Sequence, residues 1–384
     1  MNKFLLLLLV WSPLLVTAQE NSSSIPMTAQ YWEAEAGRVE FITHRGVPAL
    51  KVTPSPDGIF IGPAQVVLKD VEFATGTIEF DVELADFFLS TIYFRRENAT
   101  NSELFYLRKY RADNPTGPDG IQYTTLTKGV ALWDLYPDYQ APATFYNEGW
   151  NRVKLVVSEK RMRVYVNDME VPSITIPELM GDSEAGGIAF EGGGIFANLS
   201  IKHGVTNGLN KDAAFDPVKE DIRYLHHWQV SEPFDLPPGR EMVSAMLFRA
   251  HSDHLPDEQT KWHKLEAERS GLVNLSRLFG KSDERRAAWL KTTIHSNIDQ
   301  QRMMDFGFSD EVWVLLNDQL VYVDKNLYSN PIMKHPFGQM TINDTSFSLP
   351  LKEGENELLI GVANSFFGWA IMARLRNMDG IVLK

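Results

Sequence analysis

The 384-residue sequence contains no cysteine, which excludes disulfide bonds, thiolate metal ligands and acylation at an N-terminal cysteine. It also lacks a surplus of basic residues, since 37 Lys and Arg face 50 Asp and Glu. Phosphate binding draws on surplus positive charge, so the charge balance argues against a nucleic-acid partner. No P-loop, nucleophile elbow or dinucleotide fingerprint in its strand–helix context occurs.

The first residues have the pattern of a secretory leader. Lys3 supplies a positive charge, residues 4–16 form an apolar run, and Val16 and Ala18 are the small residues that a signal peptidase favours. The run is too short to span a bilayer comfortably. We therefore expect a signal peptide over residues 1–18, export to the periplasm or the medium, and no membrane span after cleavage.

Short alternating or apolar segments separated by Gly, Pro, Asn and Asp fill most of the chain, a pattern that is typical of β-sandwiches. They form two series, over 30–203 and 222–384, and the intervening segment 204–221 has little periodicity and reads as a linker. Helical periodicity is confined to short pieces at 257–268 and 274–280. The sequence predicts an all-β protein, with two jelly-roll sandwiches in tandem, minor helix, and two independently folding domains.

The first series ends in a recognisable pair of strands. Trp150, Arg152 and Lys154 precede a hairpin and the run Val-Tyr-Val-Asn-Asp at 164–168. Together with TGTIEFDVEL (75–84), these motifs make the region resemble the laminin-G and concanavalin-A-like lectin/glucanase superfamily. That resemblance implies a jelly roll whose concave face often binds sugar, although the motifs themselves are structural.

Glu79, Asp81 and Glu83 alternate along one predicted strand, so their carboxylates share a face. Glucanases of the resembled superfamily carry an E-x-D-x-E strand, but after two preceding strands, which places its equivalent near residues 103–111. No carboxylate occupies the outward positions there. We therefore predict a structural role for Glu79, Asp81 and Glu83, with catalysis as the weaker alternative.

A second set of residues suggests a binding cleft. Guanidinium and amide groups make directional hydrogen bonds to sugar hydroxyls, and aromatic rings cover the apolar faces of sugars. Alternation along three neighbouring strands, with a tryptophan nearby in sequence, predicts a solvent-facing cleft of Arg95, Tyr106, Arg108, Tyr110, Gln122 and Trp133. The alternative, that these tyrosines pack in the sandwich and the arginines cap its rim, stays open.

The second series has different turn motifs. Ser309-Asp310, Val312-Trp313-Val314 with Asn317, and Gly354-Glu355-Asn356 resemble strands and turns of the galactose-binding-like jelly roll that accompanies many carbohydrate-active enzymes. These residues shape turns, so they indicate a fold and carry no chemistry.

No cofactor is predicted, and any metal stays undetermined. Asp305, Asp310 and Asp324 suggest a structural calcium site, although no EF-hand spacing occurs. His251, Asp253, His254 and His263 are also metal-ligand types, but a solvated loop is the favoured interpretation.

The combined features favour an exported carbohydrate-binding protein without catalytic activity, whose partner is an oligo- or polysaccharide. A glycoside hydrolase or polysaccharide lyase is the first alternative, and a structural periplasmic interaction protein is the second.

Overall fold

The computed structural model describes residues 22–35, 37–53, 66–85, 89–237, 239 and 255–383. The predicted signal peptide, with His251, Asp253 and His254, lies outside the described residues. Within the described part, no helix combines the length and apolar character needed to cross a membrane.

The described strands form two antiparallel β-sandwiches, in agreement with the predicted fold class. The strands of the first sandwich are β1 (Ser22–Ser24), β2 (Trp32–Ala34), β3 (Arg38–His44), β4 (Val47–Thr53), β5 (Val66–Leu68), β6 (Gly76–Leu84), β7 (Leu89–Asn98), β8 (Asn101–Arg108), β9 (Ile121–Thr127), β10 (Val130–Ala131), β11 (Gln140–Ala141), β12 (Asn151–Val157), β13 (Met162–Val166), β14 (Ile174–Ile176), β15 (Gly187–Gly192) and β16 (Gly194–His203). Sheet A has the order β14-β13-β12-β6-β16-β4-β3 with β1 beside β16, and sheet B has the order β10-β9-β8-β7-β15-β5-β2 with β11 beside β9.

The second sandwich is built in the same way. Its strands are β17 (His227–Ser231), β18 (Phe234–Asp235), β19 (Trp262–Glu266), β20 (Val273–Asn274), β21 (Arg286–Ser296), β22 (Gln300–Phe308), β23 (Asp310–Leu316), β24 (Gln319–Asn326), β25 (Thr345–Leu351), β26 (Gly354–Asn364), β27 (Ala370–Leu375) and β28 (Ile381–Leu383). Sheet C has the order β19-β17-β21-β26-β23-β24 with β18 and β28 beside β21, and sheet D has the order β20-β27-β22-β25.

Helix is scarce in the described residues. One α-helix, α1 (Leu275–Phe279), begins after Asn274, whose side chain accepts the Arg277 amide, and the prediction at 274–280 is confirmed. Short 3₁₀ turns cover Lys109–Arg111, Pro137–Tyr139 and Arg269–Gly271. The helical expectation for 257–268 is wrong, because its central part is β19, which pairs with β17.

The alternating residues of β6 divide between two environments. Ile78, Phe80 and Val82 are fully buried between sheets A and B. The other face, which carries Glu79, Asp81 and Glu83, is only partly buried. The hydrophobic effect on every second residue therefore fixes the register of this strand.

The segment 204–221 lies along the first sandwich. Leu209 packs on Val156 and Tyr165, and the Lys160 amide donates to the Lys211 carbonyl at 2.9 Å. The Ala214 amide donates to the Pro177 carbonyl at 2.8 Å. The segment was predicted as a linker from its weak periodicity, yet backbone hydrogen bonds and one buried leucine attach it to the domain that precedes it.

The two sandwiches share apolar packing. Leu272, Met340 and Met372 of the second sandwich belong to the same buried cluster as the core of the first. The Met340 amide donates to the Asp134 carbonyl at 2.8 Å, and the Gly368 amide donates to both Asp134 carboxylate oxygens at 3.1 Å. The sequence suggested separate cores. Leu272 and Met340 lie outside the strands and follow no periodic pattern, and they join Met372 of β27 in the shared cluster.

Candidate functional site

Sheet B has an outer face that points away from sheet A. Phe105 and Leu107 of β8 lie in the core between the sheets, so Tyr106 and Arg108 lie on the outer face. Tyr106 packs there with Tyr93 and Leu104. This is the face that corresponds to the predicted sugar-binding surface, and its residues are buried.

A row of polar side chains crosses this outer face. The strand register places Glu191 beside Thr91, Thr91 beside Tyr106, and Tyr106 beside Gln122. Gln140 of β11 follows next to Gln122. Because neighbouring strands are about 4.8 Å apart, the row from Glu191 to Gln122 spans roughly 14 Å. We call Glu191, Thr91, Tyr106, Gln122 and Gln140 the polar row.

Arg108 stabilises the centre of the polar row. Its guanidinium donates to the Asp119 carbonyl at 2.7 Å, to Gln122 Oε1 at 2.5 Å and to the Tyr106 hydroxyl at 3.3 Å. It also lies 5.0 Å from the centroid of the Tyr106 ring. Gln122 Oε1 additionally accepts the Tyr106 hydroxyl at 2.7 Å, and its Nε2 donates to the Trp133 carbonyl at 2.7 Å. These bonds hold four of the predicted site residues in one network.

At the other end of the row, Glu191 accepts a short hydrogen bond from the Tyr93 hydroxyl. Burial, together with the charge of Glu191, raises the pKa of Tyr93 well above its ordinary value. The phenol therefore stays protonated at neutral pH and donates to the carboxylate. Glu191 is a feature that the sequence reasoning missed, although its alternation with Ile188 and Phe190 in GIAFEG places it opposite the core.

Two of the predicted cleft residues occupy other positions. Arg95 has a φ of +48° and lies where the pairing of β7 with β8 shifts register, so strand alternation does not hold there. Its side chain is 3% exposed and donates to the backbone carbonyls of Ala74, Ser158 and Glu159, away from the polar row. Tyr110 lies in a 3₁₀ turn after β8 rather than on the strand, and it is 61% exposed.

The second sandwich contributes aromatic rings beside this face. The Trp133 ring makes edge contacts with Tyr328 at 5.2 Å and Phe367 at 5.9 Å. Phe367 also packs against the apolar cluster of the outer face. Gln140 Nε2 donates to Gln339 Oε1 at 3.0 Å. No sequence pattern indicated that residues almost 200 positions apart would share one site.

Glu79, Asp81 and Glu83 lie on the outer face of sheet A, with the first sandwich's core between them and the polar row. Arg152 bonds Glu79 at 2.6 Å and Asp81 at 3.2 Å, and Arg45 bonds Glu83 at 2.6 Å. The hydrogen bond from Arg45 lowers the pKa of Glu83 to about 2. These pairings favour the structural role that was predicted for the three carboxylates.

The residues considered for calcium have other partners. Asp305 accepts from Arg374 and Arg376, Asp324 from Lys334 and Tyr322, and Asp310 from the backbone amides of Ser365 and Phe366. In the part of the chain that the structure describes, no group of three or more His, Asp or Glu is arranged to hold a metal ion. His263 instead contacts Glu232 at 2.6 Å.

Comparison with known proteins gives one family match. Residues 47–202, less than half of the chain, match the model of the 3-keto-alpha-glucoside-1,2-lyase-like domain. No curated protein matches the sequence. The matched region contains Glu191, Tyr93, Tyr106, Arg108 and Gln122.

Several solved structures are similar in fold. The carbohydrate binding module CBM66 from Bacillus subtilis is 11% identical, with 45% of this chain and 91% of that chain covered and a TM-score of 0.30. The Bacillus licheniformis beta-glucanase is 11% identical, with 47% and 97% covered and a TM-score of 0.32. A putative glycosyl hydrolase from Parabacteroides distasonis is 12% identical, with 45% and 98% covered and a TM-score of 0.30. The family match alone shows that residues 47–202, most of the first β-sandwich, are similar to the 3-keto-alpha-glucoside-1,2-lyase-like domain.

Proposed function

We propose that this chain is an exported protein that binds a glucose-containing saccharide at the outer face of sheet B. The observation that carries the proposal is the polar row with Arg108. It aligns a carboxylate, two hydroxyls, two amides and a guanidinium on one sheet face, next to aromatic rings from both sandwiches. Sugar sites combine such directional polar groups with aromatic surface.

The binding proposal is tested with the mature chain and a panel of methyl α-D-glucoside, trehalose, sucrose and cellobiose. We expect saturable binding of at least one probe by isothermal titration calorimetry. Glu191→Gln keeps the side-chain volume but removes the charge, so it is expected to weaken binding about tenfold, as loss of a charged hydrogen bond of about 1.5 kcal/mol would. Glu79→Gln, on the outer face of sheet A, is the matched control and should bind normally. Absence of binding to the whole panel contradicts the proposal.

A lyase acting on a 3-keto-glucoside is the second candidate, and the family match over 47–202 together with the Tyr93–Glu191 pair favours it. A 3-keto group acidifies the proton on C2. In an elimination, Glu191 would take that proton, the C2–H electrons would form the C1=C2 double bond, and the C1–O bond would break. The departing oxygen takes up the proton that Glu191 releases, directly or through solvent, so no water is consumed. Tyr93 would orient the Glu191 carboxylate.

The lyase candidate is tested by incubating the chain with the 3-keto derivative of trehalose. We expect release of free glucose together with an unsaturated 3-keto sugar that absorbs in the ultraviolet. Glu191→Gln should reduce the rate by at least about a hundredfold, the lower range for loss of a general base. Glu79→Gln should leave it unchanged. If binding occurs without product, the chain is a binding protein alone.

A further inference from the structure

The seam between the sandwiches carries a partly exposed group of aromatic and cationic side chains. Tyr110 and Arg111 belong to the first sandwich, and Tyr328 and Phe337 belong to the second. The Arg111 guanidinium carbon lies 5.0 Å from the Tyr110 ring centroid and 5.7 Å from that of Phe337. Tyr110 is 61% and Phe337 42% exposed, so both rings present surface to solvent. We call these four residues the outer rim.

Asp119 connects the outer rim to the polar row. Its carbonyl accepts from Arg108, and its Oδ2 accepts from Arg111 at 2.8 Å. The outer rim therefore adjoins the proposed saccharide site, and its Tyr110 follows Arg108 by two positions in the sequence.

Two polar atoms at this junction have no hydrogen-bond partner in the described structure. They are Asp119 Oδ1 and Arg111 Nε, and both atoms are buried. Asp119 as a whole is 4% exposed, so leaving this oxygen without a hydrogen bond lowers the stability of the fold unless another group donates one. A sugar hydroxyl is both a donor and an acceptor, so hydroxyls of one sugar unit match an unpaired acceptor and an unpaired donor.

The backbone of Phe337 gives an independent indication. Its φ is +51°, a conformation that favours glycine and is uncommon for a bulky residue. Among the described residues, the aromatic residues with positive φ are Phe337 and Phe367, and both rings lie at the seam. Strained conformations of this kind persist where the surrounding structure holds them, and they cluster at active sites and ligand-binding sites.

We propose that the outer rim binds the second sugar unit of the saccharide, so that the protein prefers disaccharides to monosaccharides. The inference rests on the proposed function, because the first unit occupies the polar row. The rings of Tyr110 and Phe337 cover the apolar faces of the second unit, while Asp119 and Arg111 bond its hydroxyls. The site is then complete only when both sandwiches are present.

The test compares methyl α-D-glucoside with trehalose by isothermal titration calorimetry, using the full mature chain. Phe337→Gly removes the ring and also suits the positive φ, so the melting temperature should stay within about 4 °C of the unsubstituted protein. We expect the unsubstituted protein to bind trehalose at least about tenfold more tightly, a difference that one well-placed contact provides. Phe337→Gly should abolish that preference and leave the affinity for methyl α-D-glucoside unchanged.

Tyr110→Ala is the second variant. It removes the exposed ring that the first sandwich contributes, so it should also reduce the preference for trehalose over methyl α-D-glucoside. Phe41→Ala is the control, because Phe41 on β3 is 43% exposed and lies in sheet A. If Phe337→Gly and Tyr110→Ala both keep the preference for trehalose, the outer rim is not a subsite, and the proposed function stands without it. If the unsubstituted protein binds neither probe nor any other saccharide of the panel, the proposed function and the subsite both fail.

Discussion

Arg108→Ala is expected to weaken saccharide binding by roughly tenfold to a hundredfold and also to lower the melting temperature. A charged hydrogen bond contributes about 1.5 to 3 kcal/mol, which corresponds to that range of affinity. Arg108 is 6% exposed and donates to three acceptors, so its removal leaves the Gln122 and Asp119 oxygens less satisfied. The same energy shifts the melting temperature by about 3 to 10 °C in a protein of this size.

Both quantities are measured on one purified variant, by calorimetric titration and by thermal unfolding. Arg152→Ala is the matched control, because Arg152 bonds two carboxylates on the outer face of sheet A. It should change stability without changing affinity. An Arg108→Ala protein that is destabilised but binds with full affinity would show that Arg108 serves only the scaffold.

Met340→Ala is expected to destabilise both sandwiches together. Met340 is fully buried and belongs to the apolar cluster that continues from the first sandwich into the second. A large-to-small change at such a site costs about 2 to 5 kcal/mol, or about 5 to 15 °C in melting temperature. Because packing crosses the seam, differential scanning calorimetry should give one transition, and the variant should shift all of it.

Met304→Ala is the comparison variant, since Met304 is equally buried but lies in the core of the second sandwich alone. If the two sandwiches unfold together because they share packing, Met304→Ala should also shift the single unfolding transition. Two separate transitions, of which Met304→Ala shifts only one, would restore the independent domains that the sequence suggested.

Limited proteolysis should leave 204–221 intact in the folded protein, because that segment is hydrogen-bonded along the first sandwich.

Much of the candidate site was accessible from the sequence because strand alternation is a local property. Tyr106, Arg108 and Gln122 lie on the predicted face, and alternation alone separates them from Phe105 and Leu107. Arg95 was misplaced because a positive φ and a register shift interrupt that alternation, and neither leaves a signal in the sequence. Whether these residues bind a ligand stays a prediction.

The solvent-facing cleft was the less accurate part of the expectation. Alternation assigns a side chain to a face but does not say what covers the face. Tyr106 and Gln122 are buried, and Trp133 contacts rings of the second sandwich. Arg108 is buried as well, so its substitution is expected to lower stability.

The sequence by itself determined the fold class and the two environments of strands such as β6, because alternating apolar residues must be buried on one side whatever else the chain does. Only the tertiary structure decided that Glu191 aligns with Tyr106, and that Asp134 fixes the Gly368 amide of the second sandwich. Contacts between residues more than 200 positions apart depend on how whole sandwiches pack. Loop side chains at that seam follow no periodic rule, so the outer rim became visible only when both sandwiches were in place.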